Sequence, residues 1–173
     1  MVTRKALHET VIEFHNRSKK DEELIMEATE KSFGWKCYMA TEKEDMFKHV
    51  DFWWESPKMG KIGIDAKGLK KNKRTDAEYD DTIHWLELRN VLGKPGWLYG
   101  EGTYIAFVTT THIIYVRRDK LALFAEKAIE GKSVVSSTPK DFYIPYKRFK
   151  RNDLLLKVPT SDLYNLCDFV LEL

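Results

Sequence analysis

Apolar positions fall at two periods along this chain, and the change of period divides it into elements. Leu7, Val11 and Phe14 recur at helical spacing. A polar break follows at Asn16-Arg17-Ser18, and Ser18 with Asp21 resembles a capping box that opens a second helix. That helix would carry Leu24, Ile25 and Ala28 inward and stop near Gly34. From Trp35 the period shortens. Residues 35–40 read as a strand, and residues 41–48 as a charged loop or short helix. Two apolar runs come next, residues 49–54 and 61–67, separated by the turn-forming Ser56-Pro57-Lys58-Met59-Gly60. Each reads as a strand, so the short connection pairs them as a hairpin.

Residues 70–80 form a polar stretch with no apolar periodicity, read as a surface loop. Residues 83–88 are a further strand. Residues 93–100 hold too much glycine and proline for regular structure. Residues 104–109 and 113–117 read as strands joined by a threonine turn. Asp119 caps a helix from 120 to about 129. Short strands at 142–146 and 154–158 precede a closing helix that begins near Thr160-Ser161-Asp162. No repeat, low-complexity tract or linker interrupts this order, so residues 1–173 read as one domain. Helices, a strand-rich middle and further helices make an α/β (α+β) fold, a mixed sheet with helices against it.

Bulk composition narrows the function classes. The chain has 173 residues, 43% hydrophobic and 32% charged, ordinary values for a globular domain. No apolar run approaches the roughly 20 residues that cross a bilayer. The N-terminus runs into charge where a signal peptide would be apolar. The expectation is a cytoplasmic protein with no membrane partner. Cys37 and Cys167 offer no disulfide framework and no metal-binding pair, and read as small hydrophobes. A net charge of +2 does not by itself predict nucleic-acid binding. Its distribution says more: Lys70, Lys71, Lys73 and Arg74 form one basic cluster, and Lys147, Arg148, Lys150 and Arg151 another.

The candidate chemistry sits on the hairpin. Strand alternation puts Asp65 and Lys67 on one face, and Asp51 on the neighbouring strand can reach it. Two carboxylates suit a hard divalent cation that fills its other positions with water and phosphate. A lysine beside them can orient the attacking water or stabilise charge on a phosphoryl group. Each residue also has a plainer account. Asp51 could be a hydrogen-bonded structural aspartate, and Asp65 with Lys67 an ion pair on a sheet face. His49 could touch the metal or a phosphate, or simply pack. Two readings of Glu87 stay open: an extra acid near the metal, or a partner for Arg89 or a lysine. Trp97 and Tyr99 could stack on bases or pack beneath a loop. The basic cluster Lys70, Lys71, Lys73 and Arg74 could contact backbone phosphates or be a solvated loop.

Asp51, a short hairpin and then Asp65-Ala66-Lys67 resembles the D…(D/E)xK signature of the PD-(D/E)XK nuclease superfamily. The order ahead of it is similar too: an acidic helix, a strand, the Asp strand and the DxK strand, as in restriction-endonuclease-like folds and Holliday-junction resolvases. The run from Trp85 through Trp97 to Phe107 is similar to small phage-encoded members. Val50 stands where proline is common, and Asp65 where glutamate is more usual.

The resemblance implies a restriction-endonuclease-like αβββαβ core over about residues 19–130. It implies a metal-dependent DNA endonuclease in which Asp51 and Asp65 hold Mg²⁺ or Mn²⁺ and Lys67 assists catalysis. It also implies a first-helix glutamate completing the metal shell. Glu23 is the first choice, with Glu27 and Glu30 on the same face. DNA, including branched or phage DNA, is the implied partner, and a homodimer would let two sites cut two strands. The alternatives are a non-catalytic nucleic-acid-binding domain of the same fold and a protein-interaction or anti-defence module.

Overall fold

Helix α1 runs without interruption from Arg4 to Phe33 in the computed structural model, which describes residues 4–69 and 80–173, residues 4–18 by their backbone. The expected break at Asn16-Arg17-Ser18 is therefore absent. None of these residues lacks a backbone donor as proline does, and each costs a helix well under about 1 kcal/mol, too little to open a second cap. The helix does stop at Gly34, where φ is 66° and the amide closes on the Glu30 carbonyl at 2.8 Å. Ile25 and Thr29 mark its buried stripe, both 0% exposed. The Thr29 hydroxyl donates to the Ile25 carbonyl and lies 2.7 Å from the Tyr115 hydroxyl, so a polar residue is satisfied inside the core. Leu24, expected inward, is exposed.

Strand β1 (Lys36–Met39) leads to α2 (Glu42–Lys48), which takes the helical form of the two read for this stretch. Thr41 and Glu44 cap it reciprocally. The hairpin is as expected: β2 (Phe52–Ser56) and β3 (Gly60–Lys67) pair antiparallel, with Phe52 opposite Ile64. Ser56 Oγ accepts the amides of Lys58 and Met59, and Gly60 takes the left-handed position that lets the strand resume. His49 and Asp51, expected on the strand, lie ahead of it.

Strand β4 (Ile83–Arg89) follows, then a 3₁₀ turn at Trp97–Tyr99, β5 (Tyr104–Val108), β6 (His112–Arg117) and α3 (Arg118–Ile129). Arg117, not Asp119, takes the N-cap position of α3, with Asp119 in its first turn. Later come β7 (Pro145–Tyr146), β8 (Leu154–Pro159), α4 (Thr160–Leu166) and β9 (Phe169–Glu172). The helix expected near Thr160 is α4, but it stops at Leu166, and the residues after it form β9, which adds to β6 at the sheet edge.

Among the described residues, one sheet has the order β1-β2-β3-β5-β6-β9, with β3 and β5 parallel, and a second has the order β4-β8-β7. The mixed α/β class is therefore as expected. Its helix order differs from αβββαβ in two places, the first being α2 between β1 and β2. The described residues between β3 and β5 hold β4 and the 3₁₀ turn, and α3 comes after β6.

Alternation on the large sheet separates two cores. Phe52, Trp54, Ile62, Ile64, Ala106 and Tyr115 pack with Ile25 of α1 on one face. Ile105, Phe107, Ile114 and Val116 pack on the other with Leu86 and Leu88 of β4, Leu156 of β8 and Leu121 of α3. A fully buried side chain of this size stabilises by about 1.5–3 kcal/mol. Asp65 and Lys67 alternate with Ile64, so they face the second core, away from α1. Among the described residues no helix is long and apolar enough to cross a membrane.

Candidate carboxylate and cation centre

Asp51 sits just ahead of β2, where the ladder with β3 runs out of strand. Its own amide bonds the Ile64 carbonyl at 2.8 Å. Its side chain then replaces the missing carbonyl: Oδ2 accepts the Ala66 amide at 2.6 Å. Asp65, the next residue back along β3, is 1% exposed. Its Oδ1 forms an ion pair with Lys67 Nζ, and its Oδ2 accepts from Arg118 Nη2 at 3.1 Å. Burial and the neighbouring Asp65 push the Asp51 carboxyl up to about 7, Lys67 and the Ala66 amide pulling the other way and Glu22 adding to the rise.

Arg118 was not foreseen. It is 5% exposed at the first residue of α3, where the helix dipole disfavours a positive charge. Its guanidinium is held by acceptors from four parts of the chain. Nε donates to the Gly102 carbonyl at 2.7 Å, Nη1 to the Trp97 carbonyl, and Nη2 to the His49 carbonyl at 2.8 Å as well as to Asp65. Two glycines make room. A Cβ at Gly100 would lie 2.6 Å from His49 Cβ and 2.9 Å from Arg118 Nη1, and one at Gly102 would lie 3.1 Å from Arg118 Nη2. The signal in the sequence was slight: two arginines at a strand-to-helix junction, Asp119 pairing with Arg117 and leaving Arg118 to turn inward.

Lys67 Nζ lies 4.7 Å from the centre of the Trp97 ring, so Trp97 belongs to this cluster. Tyr99 does not join it, since its hydroxyl donates to Glu126 on α3 at 3.0 Å. Glu87 is brought in from β4, its Oε2 accepting the Trp97 amide at 3.4 Å. Burial holds its carboxyl above the usual range, against the Trp97 amide, Lys67 and Arg148. His49 is the left-handed C-cap of α2, with φ 52°. Burial lowers the affinity of its ring for a proton, Asp65 opposing and Lys67 and Arg118 reinforcing the effect, so the imidazole stands among these charges.

Glu23 is not brought to the pair. It is exposed and borders a shallow groove with Lys19, Met26, Glu27, Glu30 and Met39. Glu30 there accepts the Cys37 amide at 2.8 Å. The helix acid that bears on Asp51 is Glu22, three residues before Ile25 on the buried stripe. Asp21 lies against Gly68 at the end of β3. One residue of helix phase decides between Glu22 and Glu23. Lys70, Lys71, Lys73 and Arg74 lie outside the described residues.

Among the described residues, no group of three or more His, Cys, Asp or Glu side chains is disposed to hold a metal ion. Asp51 and Asp65 alone make a two-carboxylate set. That matches Mg²⁺, which is commonly bound by one or two carboxylates plus water and substrate phosphate. The fold and the centre define a mixed α/β protein with a buried carboxylate, ammonium and guanidinium cluster between its two sheets. No family model matches the chain, and neither a curated protein nor a solved structure is similar to it.

Proposed function

We propose that this protein is a metal-dependent endonuclease that hydrolyses phosphodiester bonds in DNA. The observation that carries this reading is the meeting of Asp51 and Asp65 at one strand end. Burial there, and then the neighbouring Asp65, push the Asp51 carboxyl up to about 7 despite the nearby Lys67. Such a pair has negative charge that a divalent cation would discharge. Asp51 and Asp65 would hold Mg²⁺ or Mn²⁺, which when bound polarises a phosphoryl oxygen and acidifies water. Lys67, 21% exposed, can turn from Asp65 towards a phosphate oxygen or the attacking water. Glu87 and Glu22 add negative field around the pair without being needed as ligands.

DNA as the substrate rests on the D…DxK resemblance and on the basic run after β3. Action in the host-cell cytoplasm and a homodimer belong to the same reading. Plasmid incubated with Mg²⁺ or Mn²⁺ should be nicked or linearised. Asp65→Asn and Lys67→Ala should lose about a hundredfold or more in rate, the scale of one well-placed catalytic group. Undiminished cleavage by Asp65→Asn would falsify the assignment.

One observation favours a second reading. Both oxygens of Asp65 already have cationic partners, Lys67 and Arg118, as in a structural ion network. A non-catalytic nucleic-acid-binding domain would show salt-dependent DNA binding that Asp65→Asn retains, with no cleavage by either protein.

A further inference from the structure

Two cations meet one buried carboxylate at Asp65, and they are not equivalent. The Lys67 side chain is 21% exposed and rests on the Trp97 ring. That of Arg118 is 7% exposed and holds Asp65 with the same guanidinium that bonds the carbonyls of His49, Trp97 and Gly102. Releasing Lys67 breaks an ion pair and returns an ammonium to water. Releasing Arg118 would strand three backbone acceptors together with a buried charge. Gly100 and Gly102 leave the space it fills, and its position at the start of α3 runs against the helix dipole. The requirements of α3 therefore do not explain an arginine here. The demands of Asp65 and the surrounding carbonyls do.

We infer that Arg118 is a positioning residue that keeps Oδ2 of Asp65 occupied, so that Oδ1, paired with Lys67 until a cation displaces the ammonium, is the one oxygen of that residue a metal can take, which limits the centre to a single divalent cation shared with Asp51. This rests on the nuclease reading above. A carboxylate with one free oxygen is poorly placed to clamp two cations about 3.5–4 Å apart, the spacing of two-metal phosphoryl-transfer sites. The cation reaches Oδ1 only when Lys67 vacates it, so metal entry and the freeing of Lys67 for phosphate are one event.

The test is Mn²⁺ binding to the unmodified chain without DNA, read by calorimetry and by electron paramagnetic resonance. One ion per chain is expected, bound at least tenfold more weakly by Asp51→Asn and by Asp65→Asn. Two ions per chain would overturn the inference and leave the nuclease reading standing. Absence of any bound Mn²⁺ would overturn the metal reading itself. Arg118→Ala should bind Mn²⁺ at least tenfold more weakly, and millimolar guanidinium, but not methylammonium, should restore most of the loss. Binding by Arg118→Ala equal to that of the unmodified chain would rule out the positioning role. If that variant does not fold, the stoichiometry of the unmodified chain still decides.

Discussion

The Asp51 carboxylate stands in for a backbone carbonyl, its Oδ2 accepting the Ala66 amide at 2.6 Å where β2 has no further residue to offer. It is at once a strand terminator and the titrating half of an acidic pair. The two roles separate by substitution. Asp51→Asn keeps an acceptor for Ala66 and removes the charge, whereas Asp51→Ala leaves the amide unsatisfied and should cost about 1–3 kcal/mol.

The pH dependence has a definite sign. The Asp51 carboxyl is raised from 3.8 to about 7 in the folded chain, so the folded state holds its proton more tightly. Stability from this group is present in acid and is lost as pH rises from about 4 to about 7. Asp51→Asn does not titrate. Its stability relative to the unmodified chain should therefore rise between pH 5 and pH 8, by at most ~1.4 kcal/mol per pH unit inside that window. Urea denaturation at several pH values checks this, and a pH-independent difference would sink it. His49 contributes in the opposite sense, its stabilisation being lost as pH falls below its ordinary value of 6.5, so the comparison of variants is what isolates Asp51.

Arg118→Met removes the guanidinium but keeps most of the side-chain volume. It leaves Asp65 with Lys67 alone and frees the carbonyls of His49, Trp97 and Gly102 in a buried setting. The expected loss is about 3–5 kcal/mol, the scale of breaking a buried ion pair from one side. A midpoint in chemical denaturation within about 1 kcal/mol of the unmodified chain would show that water or another donor replaces it.

Two glycine substitutions should diverge. A Cβ at Gly96 would run into the Glu87 carbonyl oxygen, backbone that cannot move without shifting β4. A Cβ at Gly68 would meet the Asp21 carboxylate, the end of a flexible side chain. Gly96→Ala should destabilise by more than about 2 kcal/mol and Gly68→Ala by much less, since overpacking is costly only where the neighbour cannot yield. Equal effects in thermal melts would contradict the packing described for the 3₁₀ turn.

Continuity of α1 can be tested at Ser18. Proline inside a helix removes a hydrogen bond and clashes with the preceding turn, at about 3 kcal/mol. Ser18→Pro should lose helical ellipticity and stability on that scale. A neutral result would fit two helices meeting there.

The hairpin was legible because two signals agreed: a proline-glycine turn and apolar alternation on both sides. Period-two alternation alone then put Asp65 and Lys67 on one face, and the structure adds that they form an ion pair. What the sequence could not reveal depended on distant partners. Glu22 displaces Glu23 because the buried stripe of α1 is set by Thr29, a polar residue made tolerable by the Tyr115 hydroxyl. Strand β9 is four residues long and exists through its pairing with β6. Asn16 and Ser18 suggest a break by propensity, yet neither is strong enough to impose one.

The parallel pairing of β3 with β5 has a consequence for the newly made chain. Asp65 and Arg118 are separated by 53 positions, and β4 lies between them. A nascent chain that has released only the hairpin carries Asp65 without its guanidinium partner. Contacts this far apart close late in folding. The centre therefore cannot mature on a truncated or half-emerged chain, and any activity it has is delayed until the second half of the protein has left the ribosome and folded.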